Sequence, residues 1–300
     1  MLRIKVPATT ANIGPGYDCL GLALALYNEI TIEKQTSSGI DVIWECENPN
    51  ISLEENLFYT SIIDTLKRYS KENLGGKLTI KEINIPVSRG LGSSASCIVA
   101  GIYSANYLMD NIMSQEDIIN LATEMEGHPD NVVPAILGNM VLSTMVDSKV
   151  IYSIIEISKD IQFKVLIPDF KLSTSKAREV LPKAYKVEDV VSNVSRLALL
   201  INFLQNKQYK DIRTCLDDKI HQPYRFPLIN NSLDIFEKSK ELGALGEFIS
   251  GAGPTLISLV DNKNEDFDLG MKLFLNTLKD HWNIYNLEIN NTGVIIESLD

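Results

Sequence analysis

The segment Pro86 to Ser96, PVSRGLGSSAS, constrains this chain more than any other. It follows Lys77 to Ile85, which alternates like a strand, and it enters Ala95, Ile98, Val99, Ile102, Ala105 and Met109 at helical spacing. A strand, a glycine loop and a helix are therefore expected in succession. The first N–H groups of a helix have no partner within it, and the aligned peptide dipoles place about half a positive charge at that end, which suits phosphate. Gly90 and Gly92 would let the backbone close around an anion, while Ser93 and Ser94 can cap the helix or reach a phosphate-bound metal. Arg89 is the only basic residue from Pro86 to Met113, so main-chain donors must hold most of any phosphate bound here. The segment is neither a GxxxxGK loop followed by Ser or Thr nor a GxGxxG fingerprint.

Charge makes that local device necessary. Lys and Arg number 28 against 39 for Asp and Glu, and the net charge of −11 repels nucleic acid and anionic membranes at long range. No nucleic-acid or membrane partner is expected, whereas a small phosphorylated ligand can still bind at the loop. Cys19, Cys46, Cys97 and Cys215 form no CxxC pair and have no nearby His at metal-ligand spacing, so they read as reduced structural thiols. The start, MLRIKVPATTANIG, lacks an apolar run before a small-residue cleavage site, and no stretch reaches the ~18 apolar residues of a membrane span. A cytoplasmic protein is the expectation; a homodimer is left open.

Strands are expected at Leu2 to Val6, Leu22 to Glu33, Ile40 to Glu45, Lys77 to Ile85, Gly138 to Met145, Val150 to Ile157 and Gln162 to Ile167. Asn56 caps a helix over Leu57 to Tyr69, and Ser114 with Asp117 opens another that ends near Gly127 and Pro129. Beyond Pro168, helices are expected at Val187 to Leu204, Ser232 to Leu242 and Asp266 to His281. Strands are expected at Ala244 to Ile249, Thr255 to Val260, Trp282 to Ile289 and Gly293 to Glu297. Strands and helices mixed without regular alternation argue an α+β fold, and a chain of 300 residues divides into about two domains, placed at 1–165 and 166–300.

Two further segments echo the loop: Pro7 to Asp18, PATTANIGPGYD, read as a polar loop between strands, and Ser250 to Thr255, SGAGPT, read as a close-approach turn. The three segments together, in this order, resemble the motifs of the GHMP kinases. The resemblance implies an N-terminal α+β nucleotide-binding domain and a C-terminal ferredoxin-like α/β sandwich, with ATP and its acceptor between them. It places ATP against Pro86, Val87, Ser88, Arg89, Gly90, Leu91, Gly92, Ser93, Ser94, Ala95 and Ser96.

Within the family, Glu126 to Pro134 (EGHPDNVVP), Ser173 to Pro182 (STSKAREVLP) and Ile220 to Ile229 (IHQPYRFPLI) are similar to segments of the homoserine kinases. This branch implies phosphorylation of the side-chain hydroxyl of L-homoserine, a step of threonine biosynthesis. A zwitterionic acceptor needs guanidinium groups for its carboxylate and a carboxylate for its ammonium. Arg178 and Arg225 fit the first role and Asp18 the second, with Asn12, His128, Asn131, Gly251 and Gly253 completing the substrate pocket. Ser94 and Glu126 are implied as ligands of Mg²⁺; Glu126 lies near a helix C-terminus, where a cation would offset the unfavourable dipole. Glu124 competes for that role. Ser94, Glu126 and Asn131 are the expected catalytic set, without an obvious general base, since an asparagine cannot take a proton. A mevalonate-type or sugar-type kinase and a non-catalytic nucleotide-binding regulator are the alternatives; the regulator would be expected to have lost Ser94, Glu126 or a loop glycine.

Overall fold

The computed structural model describes residues 1–299. Eleven strands form two sheets among these residues. In the first, β1 (Leu2–Asn12) and β2 (Gly16–Gln35) make a long hairpin, joined by β3 (Gly39–Trp44), β4 (Gly75–Ile83), β5 (Met140–Val146) and β6 (Lys149–Ile155). Its order is β11-β1-β2-β4-β3, with β5 bonded to β2 and β6 to β5. The second sheet comprises β7 (Ile161–Pro168), β8 (Gly246–Ile249), β9 (Leu256–Asp261) and β10 (Trp282–Leu287), in the antiparallel order β10-β7-β9-β8. That 4-1-3-2 order is the ferredoxin-like arrangement. The last strand, β11 (Ile295–Ser298), returns to pair with β1, and Val165 lies inside β7, so the seam between the sheets falls in the 156–160 connection.

Helices α1 (Leu57–Arg68), α2 (Ser93–Leu108), α3 (Gln115–Glu126) and α4 (Pro129–Leu137) cover the first sheet. Ile4, Val6, Ile30, Ile32, Leu78 and Ile80 point from the strands into Ile62, Ile98, Val99, Ile102 and Val133 of these helices. The caps follow the sequence: Asn56 accepts from the N–H groups of Phe58 and Tyr59, and Ser114 and Asp117 complete a capping box before Gly127 ends α3. The remaining helices are α5 (Thr174–Glu179), α6 (Val187–Gln205), α7 (Ile212–Leu216), α8 (Gln222–Arg225), α9 (Ser232–Glu241) and α10 (Phe267–Leu275). One face of the second sheet packs α9 and α10 through Ile235, Phe267, Met271 and Trp282. Its other face packs Phe163, Phe248 and Ile257 against Leu20, Leu22 and Leu24 of β2 and Leu200 and Leu204 of α6. One core therefore spans both sheets, and it fixes the C-terminal sheet against the hairpin.

Several elements differ from expectation, among them the short helices α5, α7 and α8, where no element is expected from the sequence. Pro7 to Asn12 is strand, not loop: its register with β2 continues past a bulge at Pro7/Ala8 to Ala11↔Gly21. The polar side chains that suggested a loop are buried among polar partners. Helix α4 was not anticipated, because Pro129 reads as a stop, whereas at the first helical position its missing N–H costs nothing. Helix α10 ends at Leu275, six residues short of His281.

Candidate active site

The three glycine- and serine-containing motifs meet at one point. The N–H of Thr9 donates to the carbonyl of Leu91 (3.1 Å), that of Gly251 to Ala11 (2.9 Å) and that of Thr255 to Arg89 (3.3 Å). Ser250 Oγ lies 2.8 Å from Thr10 Oγ1 and donates to the Gly90 carbonyl at 2.6 Å. Glycine is required at two loop positions for this packing. A Cβ on Gly90, at φ 76°, would sit 2.3 Å from the Ser250 carbonyl oxygen, and one on Gly92, at φ 67°, would sit 2.0 Å from Thr9 Oγ1. The Cβ side of both glycines is filled by β1 and the third motif, while both residues also line the cavity described below. What the loop leaves available is the first turn of α2, which no side chain caps.

Below that turn, Ser94 Oγ donates to Glu126 Oε2 at 2.7 Å. Glu126 closes α3, and burial pushes its carboxyl above the usual carboxylate range; the Ser94 hydrogen bond and the charges of His128 and Arg178 pull the other way. Glu124 instead pairs with Arg68 on the surface. Asn131, in the first turn of α4, has both ends of its amide engaged: Oδ1 accepts from Thr9 Oγ1 at 2.9 Å and Nδ2 donates to Asp130 Oδ1 at 3.2 Å. Asp130 is 1% exposed and also bonds His128 Nδ1, so its carboxylate is held between these two side chains. Burial opposes the charged form of His128, but the hydrogen bond and charge of Asp130 outweigh it and raise its pKa.

The third group of side chains carries paired charge. Arg178 forks onto Asp18, with Nη1–Oδ2 at 3.0 Å and Nη2–Oδ1 at 2.8 Å. Asn12 accepts from the Asp18 N–H at 2.9 Å and donates to the Gly251 carbonyl at 2.7 Å. Arg225, at 1% exposure, donates from Nε to the Ala177 carbonyl and from Nη1 to the Gly251 carbonyl and His221 Nδ1. His221 in turn donates from Nε2 to the Gly14 carbonyl (2.8 Å), which leaves Nδ1 free to accept. Burial holds its pKa down to about 4, so the ring is neutral at neutral pH, and its two hydrogen bonds select this tautomer.

A single cavity of about 580 Å³ joins these groups. Asn12, Asp18, Glu126, His128, Asn131, Arg178, Arg225, Gly251 and the loop from Val87 to Ser94 all line it. Four expected residues are not in the lining. Pro86 is outside the lining, and Ala95 and Ser96 lie one turn into α2, where Ser96 Oγ bonds Asn28. Gly253 packs on Ile229. Arg89 is in the lining, with its guanidinium donating to the Pro168 and Asp169 carbonyls. Sequence reasoning missed Trp44, Ile51 and Leu57, which add an apolar stretch to the lining. It also missed Tyr17, whose hydroxyl accepts from Arg178 Nη1 at 2.9 Å. Tyr17 stands beside Asp18 in the first motif, where an aromatic next to a paired carboxylate was the available signal.

The cavity thus combines an uncapped helix N-terminus, a part-buried hydroxyl–carboxylate pair and a site of paired opposite charges. Residues 56–139 match the family described as GHMP kinases N terminal domain, and residues 195–269 match GHMP kinases C terminal. A homoserine kinase of Clostridium novyi (strain NT) is 48% identical over 296 residues, covering 99% of this chain and 99% of its own length. One of Clostridium acetobutylicum is 46% identical over 296 residues, covering 99% and 100%. The crystal structure of homoserine kinase from Cytophaga hutchinsonii aligns with a TM-score of 0.88 at 26% identity, over 99% of this chain and 97% of that one. The L. major mevalonate kinase in complex with R-mevalonate shares the fold, with a TM-score of 0.71 at 16% identity over 96% and 95% of the two chains. On its two domain matches and its full-length relatives, the chain belongs to the GHMP kinases.

Proposed function

We propose that this ATP-dependent kinase transfers the γ-phosphoryl group of ATP to the side-chain oxygen of L-homoserine, giving ADP and O-phospho-L-homoserine on the route to threonine. The observation that carries this reading is the placement of Asp18, Arg178 and Arg225 in the same cavity as the α2 N-terminus. A sugar or a mevalonate offers no ammonium for Asp18, whereas an amino acid offers a counter-charge to each group. The full-length relatives named above act as support.

In this reading the uncapped first turn of α2 receives the phosphates through main-chain N–H groups. The lining from Trp44, Ile51 and Leu57 takes the nucleoside. Ser94 and Glu126 fit Mg²⁺: two hard oxygens stand 2.7 Å apart at the phosphate end, and burial acts against the charged form of the carboxyl, a cost that a cation would offset. Bound there, the ion would neutralise phosphate charge during transfer. Asp18, His128 and Asp130 also bring potential ligand atoms within 4.8 Å of one another, but Arg178 occupies Asp18, and His128 and Asp130 occupy each other.

Phosphoryl transfer passes through a loose transition state, so the chain contributes chiefly alignment and charge. The acceptor oxygen forms its bond to the γ-phosphorus as the bond to the bridging oxygen of ADP breaks. Asn131 orients the acceptor as a hydrogen-bonding group, its amide fixed by Thr9 and Asp130. The hydroxyl proton passes to an oxygen of the transferring phosphoryl group, with no side chain acting as a strong base. A coupled ADP-release assay with L-homoserine, L-threonine, L-serine and mevalonate tests the acceptor. L-homoserine should support the highest kcat/KM, and turnover with mevalonate but not with homoserine would sink the reading.

A further inference from the structure

Asp18 and Arg178 take opposite ends of the substrate in the reading above, yet in the structure they hold each other. The two-pronged contact at 2.8 and 3.0 Å satisfies both carboxylate oxygens, and the side chains are about one-third exposed, at 32% and 37%. The two partners differ in how firmly they are anchored. Asp18 belongs to the β1–β2 hairpin, at φ 55°, with its N–H donated to Asn12. Arg178 lies in the last turn of the six-residue helix α5, and its Nη1 also donates to Tyr17. The Tyr17 ring lies within 5.7 Å of the Arg178 guanidinium carbon and 5.3 Å of that of Arg225, a surface along which a guanidinium can pivot without losing its aromatic contact. Arg225 is committed to Ala177, Gly251 and His221 through Nε and Nη1, while its Nη2 has no protein acceptor among the described residues.

We propose that the Asp18–Arg178 ion pair is the specificity element of the acceptor site, which an amino acid enters by exchanging partners with it. The proposal rests on the acceptor reading above. The incoming ammonium takes over Asp18, and the incoming carboxylate takes over the released edge of Arg178 together with Arg225 Nη2. A zwitterion leaves every charge paired. A hydroxy acid or an amino alcohol must break the same ion pair and leaves one member without a counter-ion in a partly desolvated site, a cost that offsets its single new contact. Discrimination therefore comes from the resident pair as well as from the contacts the ligand makes.

This exchange makes a prediction that two independent contacts do not. Replacing Asp18 frees Arg178 in advance, so a ligand with a carboxylate and no ammonium no longer has to break anything. Calorimetric titration of 4-hydroxybutyrate should show about tenfold tighter binding to Asp18→Asn than to the wild type. The mirror experiment uses Arg178→Gln and 3-aminopropan-1-ol, again with tighter binding to the variant, and it stands if the first variant folds poorly. Binding of either ligand unchanged or weakened in the corresponding folded variant would overturn the exchange. Turnover of L-homoserine by the wild type reports separately on the acceptor reading, since the titrations need no catalysis.

Discussion

Glu126 shows how a residue suited to catalysis can weaken the fold that carries it. Its carboxyl ends a helix, where the dipole opposes negative charge, and burial raises its pKa above the ordinary 4.5. The sign of the consequence is fixed: the folded chain binds this proton more tightly than the unfolded chain. The penalty is therefore absent well below pH 4.5 and develops as pH rises through the raised value. Glu126→Gln removes the charge and retains an acceptor for Ser94. Thermal unfolding at pH 7.5 without divalent cation should show the variant melting about 2–4 °C higher, with the gain vanishing near pH 4. Its turnover should fall by at least about 100-fold. A variant that melts lower at pH 7.5 would show that the carboxylate is already compensated within the protein. From the sequence, the loop points to Ser94 and the end of a capped helix to Glu126, with Glu124 competing. Which of the two glutamates meets Ser94 depends on helix phase, and in the structure Glu124 faces Arg68 while Glu126 faces Ser94.

Among the elements, helix boundaries with chemical caps were the most readable. Asn56, Ser114 with Asp117, and Gly127 each act where the sequence places them, because a cap is a local contact between a side chain and nearby backbone. Elements whose identity depends on distant partners were read wrongly. Thr9 and Thr10 look like loop residues until Asn131 and Ser250 arrive from 122 and 240 residues away. Gly92 illustrates the same dependence. From the sequence, Gly92 is expected to let the backbone approach an anion, and the structure adds a packing requirement, with Thr9 Oγ1 standing where a Cβ would be. Gly92→Ala should consequently damage two things together. It should cost about 1–3 kcal/mol in stability, and it should displace the first turn of α2. Urea denaturation and the ATP-induced rise in melting temperature measure the two effects. A variant with wild-type stability and only weakened ATP binding would return the glycine to the anion.

At the scale of the whole molecule, the acidic balance and the phosphate chemistry coexist because the cavity separates them. Net charge of −11 is spread over the chain, while the cavity offers a helix end and two arginines to anionic groups. The two sheets do not merely lie side by side. Leu20, Leu22 and Leu24 share a core with Phe163 and Phe248, so the hairpin bearing Asp18 is held at a fixed distance from α8, which bears Arg225. This packing is what brings residues 207 positions apart, Gly14 and His221, into hydrogen-bond contact. The α+β class was legible from the order of strands and helices, whereas the shared core and the return of β11 to β1 were not, being long-range pairings without a local signal. The central claim concerns what this assembled cavity phosphorylates, and its most direct measurement is ³¹P NMR of the protein with ATP, Mg²⁺ and L-homoserine. The account predicts a new phosphomonoester resonance, growing in proportion to ADP and coupled to the side-chain methylene protons of homoserine. Release of inorganic phosphate alone, or an unchanged ATP spectrum from folded protein, would contradict it.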